Sequence, residues 1–381
     1  AFIDRCTFRL NTAWLLGAGF YASDSGSNYS YIADSLFADN DGPTLQMSTG
    51  TTGSRVTNCT IVNNYNIGDK AALTGIISLQ NSIVWGNRGV YDRGYYNQVN
   101  GPITIDTCLI ENGTEWLPDG LTNQDPIFRS ELGPDGIEHT GDENYRLLPS
   151  SIAIDFGNNT LFDFPKSIED LDGNPRFQDD PYTDDWDPDA TPIIDLGCFE
   201  YTPVLSGESG YRIWNGGNYA NFGTDANWLP ADAPGASDIP YFSSREDIPL
   251  ILLLEDHTVS QLEISQDFCT FGLLGNTLTL TESNYPSLLV GHHVGTSSAV
   301  AVFLDGQLVA NKVDISGKSH GSVGINENAS ITSAEGVVVR DGAGFYGGGT
   351  LYGNLYCSGT LTHDSSHNSF PTIHGDVSLM N

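Results

Sequence analysis

The chain has 381 residues, with 48 acidic side chains against 15 basic, 43 glycines, a formal net charge of -33 and a pI near 4.1. Charge of that sign repels nucleic-acid phosphates and anionic lipid and attracts dissolved cations, so a nucleic-acid partner is excluded. Apolar runs such as Leu250 to Leu254 have the length of a strand, far short of the ~18 residues that span a bilayer, and the composition is that of an acidic, glycine-punctuated all-β protein.

One pattern recurs five times in the first 112 residues. Aligned on a small residue, the copies place Cys6, Ser35, Cys59, Ser82 and Cys108 at separations of 29, 24, 23 and 26 residues. Three places earlier stand Ile3, Ile32, Val56, Leu79 and Ile105; two places later stand Phe8, Phe37, Ile61, Val84 and Ile110. Five places after the small residue come Asn11, Asn40, Asn64 and Asn87, with Asn112 one place early in the fifth copy. Each copy reads as one coil of a parallel β-solenoid. Stacked coils lie about 4.8 Å apart, so equivalent positions form ladders, and a coil buries its apolar face only against its neighbours. Cys and Ser fit where the inside of a narrow coil leaves little room. Asn at a corner can bond the Asn above and below.

Cys6 and Cys59 fall two coils apart, about 9.6 Å, which is beyond disulfide reach. All six cysteines are scattered singly and form neither a disulfide framework nor a zinc pair. Ala1-Phe2-Ile3 already lies inside a coil, and an uncapped solenoid end invites edge pairing. The expectation is therefore a segment of something longer, or one whose end a partner covers.

Residues 113–205 break the rhythm and shift toward Asp, Pro and Asn. They read as the irregular end of the first solenoid. Four blocks stand out: Asn123-Gln124-Asp125-Pro126-Ile127-Phe128 followed by Tyr145-Arg146-Leu147; Ser150-Ser151-Ile152-Ala153-Ile154-Asp155-Phe156-Gly157; Asp170-Leu171-Asp172-Gly173-Asn174-Pro175-Arg176; and Ile194-Asp195-Leu196-Gly197-Cys198-Phe199-Glu200-Tyr201. In that order, over residues 1–202, they resemble the tail of secreted right-handed parallel β-helix proteins with a choice-of-anchor Q domain, whose coils resemble polymorphic outer membrane protein repeats. The resemblance implies a right-handed parallel β-helix on a bacterial surface or secreted from it. It implies no reaction, because the family is defined by architecture.

Ser206-Gly207-Glu208-Ser209-Gly210 has the composition of a flexible connection and places a domain boundary at 205/206. Beyond it, short alternating strands are predicted at Val259 to Ile264, Thr277 to Leu280, Leu288 to Val290, Val300 to Leu304, Val313 to Ile315 and Val337 to Val339, separated mostly by Gly or Asn. Residues 206–381, with Trp214-Asn215-Gly216 and Asn227-Trp228 opening blocks and Gly348-Gly349-Thr350-Leu351 near the end, resemble autotransporter-like β-solenoids. The fold expected is all-β: a right-handed parallel β-helix followed by a second β-solenoid.

Asp184-Asp185-Trp186-Asp187-Pro188-Asp189, with Asp170, Asp172, Asp179 and Asp180 near in sequence, is the strongest chemical constellation. Alternate carboxylates suit a hard cation, which takes six to eight oxygens when it is Ca²⁺. Asp185, Asp187, Asp189, Asp170 and Asp172 are the predicted Ca²⁺ ligands. The motif lacks the glycine and distal glutamate of an EF-hand loop. A second constellation, Trp214, Tyr219, Phe222 and Trp228, offers rings for sugar stacking, or closes the end of the second core; Trp85 and Trp116 are read as core. Arg55, Arg88 and Arg93 could serve a polysaccharide groove, but no ordered set of paired carboxylates with a basic partner marks a glycosidase. Gly291-His292-His293 reads as a strand-end turn.

The function expected is a non-catalytic extracellular structural or adhesive segment of a large bacterial cell-surface or fibre-forming protein, stabilised by calcium. Its expected partners are neighbouring copies or other surface proteins, and this segment inserts into no membrane. The alternative is a β-helix protein that binds or degrades polysaccharide.

Overall fold

A computed structural model describes residues 1–14, 16–22, 30–47, 54–66, 71–75, 77–89, 98–112, 124–133, 135, 137–161, 168–183, 185, 193–243, 249–265, 268–292, 298–318, 320–362 and 369–380. The fold is all-β, with parallel sheets stacked as a β-solenoid. It divides into two compact units, Ala1–Pro203 and Val204–Asn381.

In the first unit each coil contributes one strand to each of two five-stranded parallel sheets. Phe2–Asp4, Tyr31–Ala33, Ser54–Thr57, Ile77–Gln80 and Ile103–Asp106 form one; Thr7–Arg9, Leu36–Ala38, Thr60–Val62, Ile83–Trp85 and Leu109–Ile110 form the other. A third face carries Phe20–Ala22, Leu45–Met47, Leu73–Thr74 and Val99–Asn100. The register is the one read from the sequence. Ile3 pairs with Ile32, Ile32 with Val56, Val56 with Leu79 and Leu79 with Ile105. Phe8, Phe37, Ile61, Val84 and Ile110 stack in the same way, and the Phe8 and Phe37 rings lie 4.7 Å apart and nearly parallel. Each such side chain, when fully buried, contributes about 1.5–3 kcal/mol.

Two files of left-handed residues turn every coil. Arg5, Asp34, Asn58, Asn81 and Thr107 hold φ between 44° and 51°; Leu10, Asp39, Asn63, Gly86 and Asn112 hold φ between 50° and 66°. Asn112 thus belongs to the second corner rather than to the asparagine file. The amide ladder runs Asn11 to Asn40 to Asn64 to Asn87, each Nδ2 donating to the next Oδ1 at 2.8 to 2.9 Å. Asn87 closes it on Gln98 Oε1 at 2.7 Å. The small-residue file is also hydrogen-bonded: Ser35 and Ser82 accept from the Cys6 and Cys59 amides at 3.1 Å. The six cysteines are free, and all but Cys6 are buried.

Strands Leu36–Ala38, Thr60–Val62 and Ile83–Trp85 are buried on both faces. Phe37, Ile61 and Val84 point into the coil interior. Leu36, Ala38, Val62, Ile83 and Trp85 point outward, where the tail covers them with Phe128, Tyr145, Leu147, Ile154, Leu196 and Phe199. Their continuous apolar sequence is the signature of a two-sided core strand. The tail itself has little regular structure: an antiparallel pair, Phe128–Ser130 with Asn144–Leu147, and a 3₁₀ turn at Asn159–Leu161.

The second unit opens with Tyr211–Trp214, antiparallel to Trp228–Leu229 and parallel to Ile239–Phe242. One of its parallel sheets runs through Leu250–Leu252, Phe268–Gly272, Val300–Leu304, Ser322–Ile325, Gly344–Gly347 and Thr360–Thr362. The other includes Leu262–Ile264, Leu288–Val290, Gln307–Ile315, Ser330–Val339 and Thr350–Tyr352. The stretch expected as one strand, Val259 to Ile264, is two: His257–Val259 and Leu262–Ile264 are separated by a bend and pair with different strands. Conversely, Val313 to Ile315 and Val337 to Val339 are the ends of longer strands whose register shifts between Ala310 and Lys312.

Candidate functional site

The tail is locked onto the coils by buried charge. Arg176, fully buried, donates to Asp34 Oδ1 at 2.6 Å, Glu200 Oε1 at 2.7 Å and the Gly197 carbonyl at 2.9 Å. Tyr145 donates to Asp39 at 2.6 Å, and Arg9 bridges Asp39 and Glu143. The Arg176 and Arg9 guanidinium groups are each paired with two carboxylates, as a charge taken out of water requires.

The predicted Ca²⁺ ligands separate within this tail. Asp170 is buried and its two oxygens accept from the amides of Asp172, Asn174 and Glu200, so it organises a turn. Asp172 forms a two-pronged pair with Arg146 at 2.5 Å, and the same guanidinium lies 4.7 Å over the Phe199 ring. Asp187 and Asp189 lie outside the described residues. Asp185 is brought instead to Asp155 and Asp179, with one potential ligand oxygen from each lying within 4.8 Å of the others.

The geometry of that trio comes from irregular turns. Asp155 has φ 51° and is fully buried; its amide donates to Asp195 Oδ1 at 2.8 Å, and its Oδ2 accepts from the Asp180 amide at 3.0 Å. Asp155 Oδ1 is buried with no hydrogen-bond partner. Asp179 is exposed and Asp185 partly so, so the cluster opens to solvent on one side. Burial, reinforced by the charges of Asp180, Asp179 and Asp185 and opposed by the Asp180 amide, pushes the Asp155 carboxyl up to about 7. Three oxygens so placed suit a hard cation. Asp155 and Asp179 were outside the ligand set read from sequence, because no spacing links residue 155 to 185.

A second feature is a cleft of about 390 Å³ beside the second corner, lined by Thr12, Asp39, Asp41, Tyr65 and His139 among others. Thr12, Asp41 and Tyr65 are matched positions in three successive coils, while His139 comes from the tail, its Nδ1 3.7 Å from Asp39 Oδ1. The Tyr65 ring is half-exposed. Arg55 and Arg88 do not line this cleft, and Arg93 lies outside the described residues.

The ring cluster of the second unit is core. Trp214, Phe222 and Trp228 are buried against one another with centroids 4.9 to 5.0 Å apart, and the Trp228 indole donates to the Phe222 carbonyl. Tyr219 alone of the four is exposed, so no stacking platform forms there. Trp85 is buried as expected, and Trp116 lies outside the described residues. His292 follows a left-handed Gly291 at a strand end and faces Asp314 at 3.4 Å; His293 is outside the described residues.

No family model, curated protein or solved structure matches the chain.

Proposed function

We propose that the chain is a non-catalytic extracellular structural or adhesive segment of a large bacterial cell-surface or fibre-forming protein. The observation that carries this reading is the coil-to-coil bonding of the first unit. Main-chain ladders run through all five coils in one register, the asparagine file bonds the first four, and serine hydroxyls bridge the first coil to the second and the third to the fourth. Nearest-neighbour stacking of this kind makes a stiff scaffold with long faces for lateral contact. The resemblance of residues 1–202 to choice-of-anchor Q β-helix proteins, and of 206–381 to autotransporter-like solenoids, supports a surface or secreted location. Neighbouring copies or other surface proteins are the partners that such faces fit. Antibodies to the chain should label intact cells of the organism that makes it, and the purified protein should release neither reducing sugar nor unsaturated uronide from a polysaccharide panel. Labelling only after lysis, or turnover on any polysaccharide, would overturn the proposal.

A second reading, polysaccharide binding, is favoured by the cleft. A half-exposed tyrosine ring beside carboxylate and hydroxyl groups can stack on a sugar face and bond its hydroxyls. On a glycan array, binding that disappears in Tyr65→Ala would support it, and an array with no signal would dismiss it.

A further inference from the structure

We infer that Asp155, Asp179 and Asp185 form a calcium site that ties the Asp155 turn to the Asp180 turn in the irregular tail. Ligands on opposite sides of Ca²⁺ lie about 4.6–5.2 Å apart, given bonds of about 2.3–2.6 Å. The trio's oxygens fall within 4.8 Å of one another, so one ion can touch all three. The second observation is independent of acidity. Asp155 is completely buried, its Oδ2 is committed to the Asp180 amide, and its Oδ1 faces no donor. Buried polar atoms in native proteins find partners, and a cation among these carboxylates supplies the missing one.

The chemistry selects the ion. All three donors are carboxylate oxygens, which favour hard cations over zinc or copper. Magnesium demands shorter bonds and gives up its water reluctantly, whereas calcium accepts several carboxylates and a loose geometry. The exposed Asp179 leaves room for water to complete the shell. The net charge of -33 concentrates cations at the surface. Asp155 sits in the Ser150–Gly157 block, while Asp179 and Asp185 flank the Asp180 turn, so an ion here joins segments far apart in sequence. The scaffold role does not depend on it.

The competing explanation is that Asp155 simply carries a proton. The two are separated by titrating the whole chain with calcium chloride, read by calorimetry and by melting temperature with and without EDTA. Wild type should bind one ion at this site and melt higher with calcium. Asp155→Asn and Asp179→Asn should each weaken that binding at least about tenfold. In EDTA, Asp155→Asn should melt no lower than wild type, because removing one of three like charges relieves repulsion; this also shows that the variant is folded. Asp172→Asn should keep the calcium response. An unchanged response in both Asp155→Asn and Asp179→Asn, no response in wild type, or an equal response to magnesium chloride would overturn the assignment.

Discussion

Asparagine 64 shows how much one side chain carries in a stacked fold. Its Nδ2 donates to Asn87 Oδ1 and to the Phe37 carbonyl, and its Oδ1 accepts from both the amide and the Nδ2 of Asn40. All of this is buried. Asn64→Ala should therefore cost about 3 kcal/mol, since partners in two coils lose their bonds with no water to replace them. Asn11, exposed at the head of the file, should cost under about 1 kcal/mol on the same change. Urea unfolding of both variants checks this; equal losses would show that the ladder has no cooperative value. The sequence made the file visible because one residue type repeats at one offset. It misplaced Asn112, which shares the residue type but stands at a corner.

Asp314 gives a pH prediction at the same scale. Burial alone would raise its carboxyl, but hydrogen bonds and charge from His292 and Arg340 outweigh burial and hold it well below the ordinary carboxylate range. Arg340 reaches it with two bonds of 2.6 and 2.7 Å. A group whose folded value is depressed stabilises fully above its unfolded value of about 3.9 and loses that contribution as pH falls toward the folded value. The melting temperature of wild type should therefore drop below about pH 4 more steeply than that of Asp314→Asn. Parallel acid limbs for the two proteins would refute it.

At the scale of elements, the tail is the decisive piece. Continuous apolar runs such as Ile83-Val84-Trp85 announce strands with two buried faces, yet nothing periodic says what covers the outer one. The cover is the segment that breaks the rhythm, and its anchor is Arg176. Replacing it by Met leaves Asp34 and Glu200 buried without their cation, so Arg176→Met should destabilise the first unit by about 3–5 kcal/mol. Guanidinium unfolding followed by the fluorescence of Trp85, which the tail covers, is the measurement; a loss under about 1 kcal/mol would mean that the tail is held by apolar contact alone. The strand expected at Val259 to Ile264 failed for a related reason. The coil turns a corner inside it at Ser260 and Gln261, two consecutive polar residues that interrupt the alternation between Val259 and Leu262.

Across the whole molecule, one thiol of six reaches solvent. Cys6 is partly exposed, while Cys59, Cys108, Cys198, Cys269 and Cys357 are buried. Burial pushes the Cys108 and Cys198 thiols up to about 12, which removes the thiolate needed for attack. Ellman's reagent added to the native chain should therefore show one fast thiol, lost in Cys6→Ser, and five that react only on unfolding. Several fast thiols would contradict the interior file.

The amino-acid sequence by itself determined the coil, its register and the free state of its cysteines. Stacking is a nearest-neighbour interaction with a fixed repeat, so every rung leaves its mark at a constant offset along the chain. Only the tertiary structure decided which carboxylates meet. The tail has no repeat, its turns are set by contacts with distant coils, and an acidic chain offers too many aspartates for spacing to single out Asp155, Asp179 and Asp185.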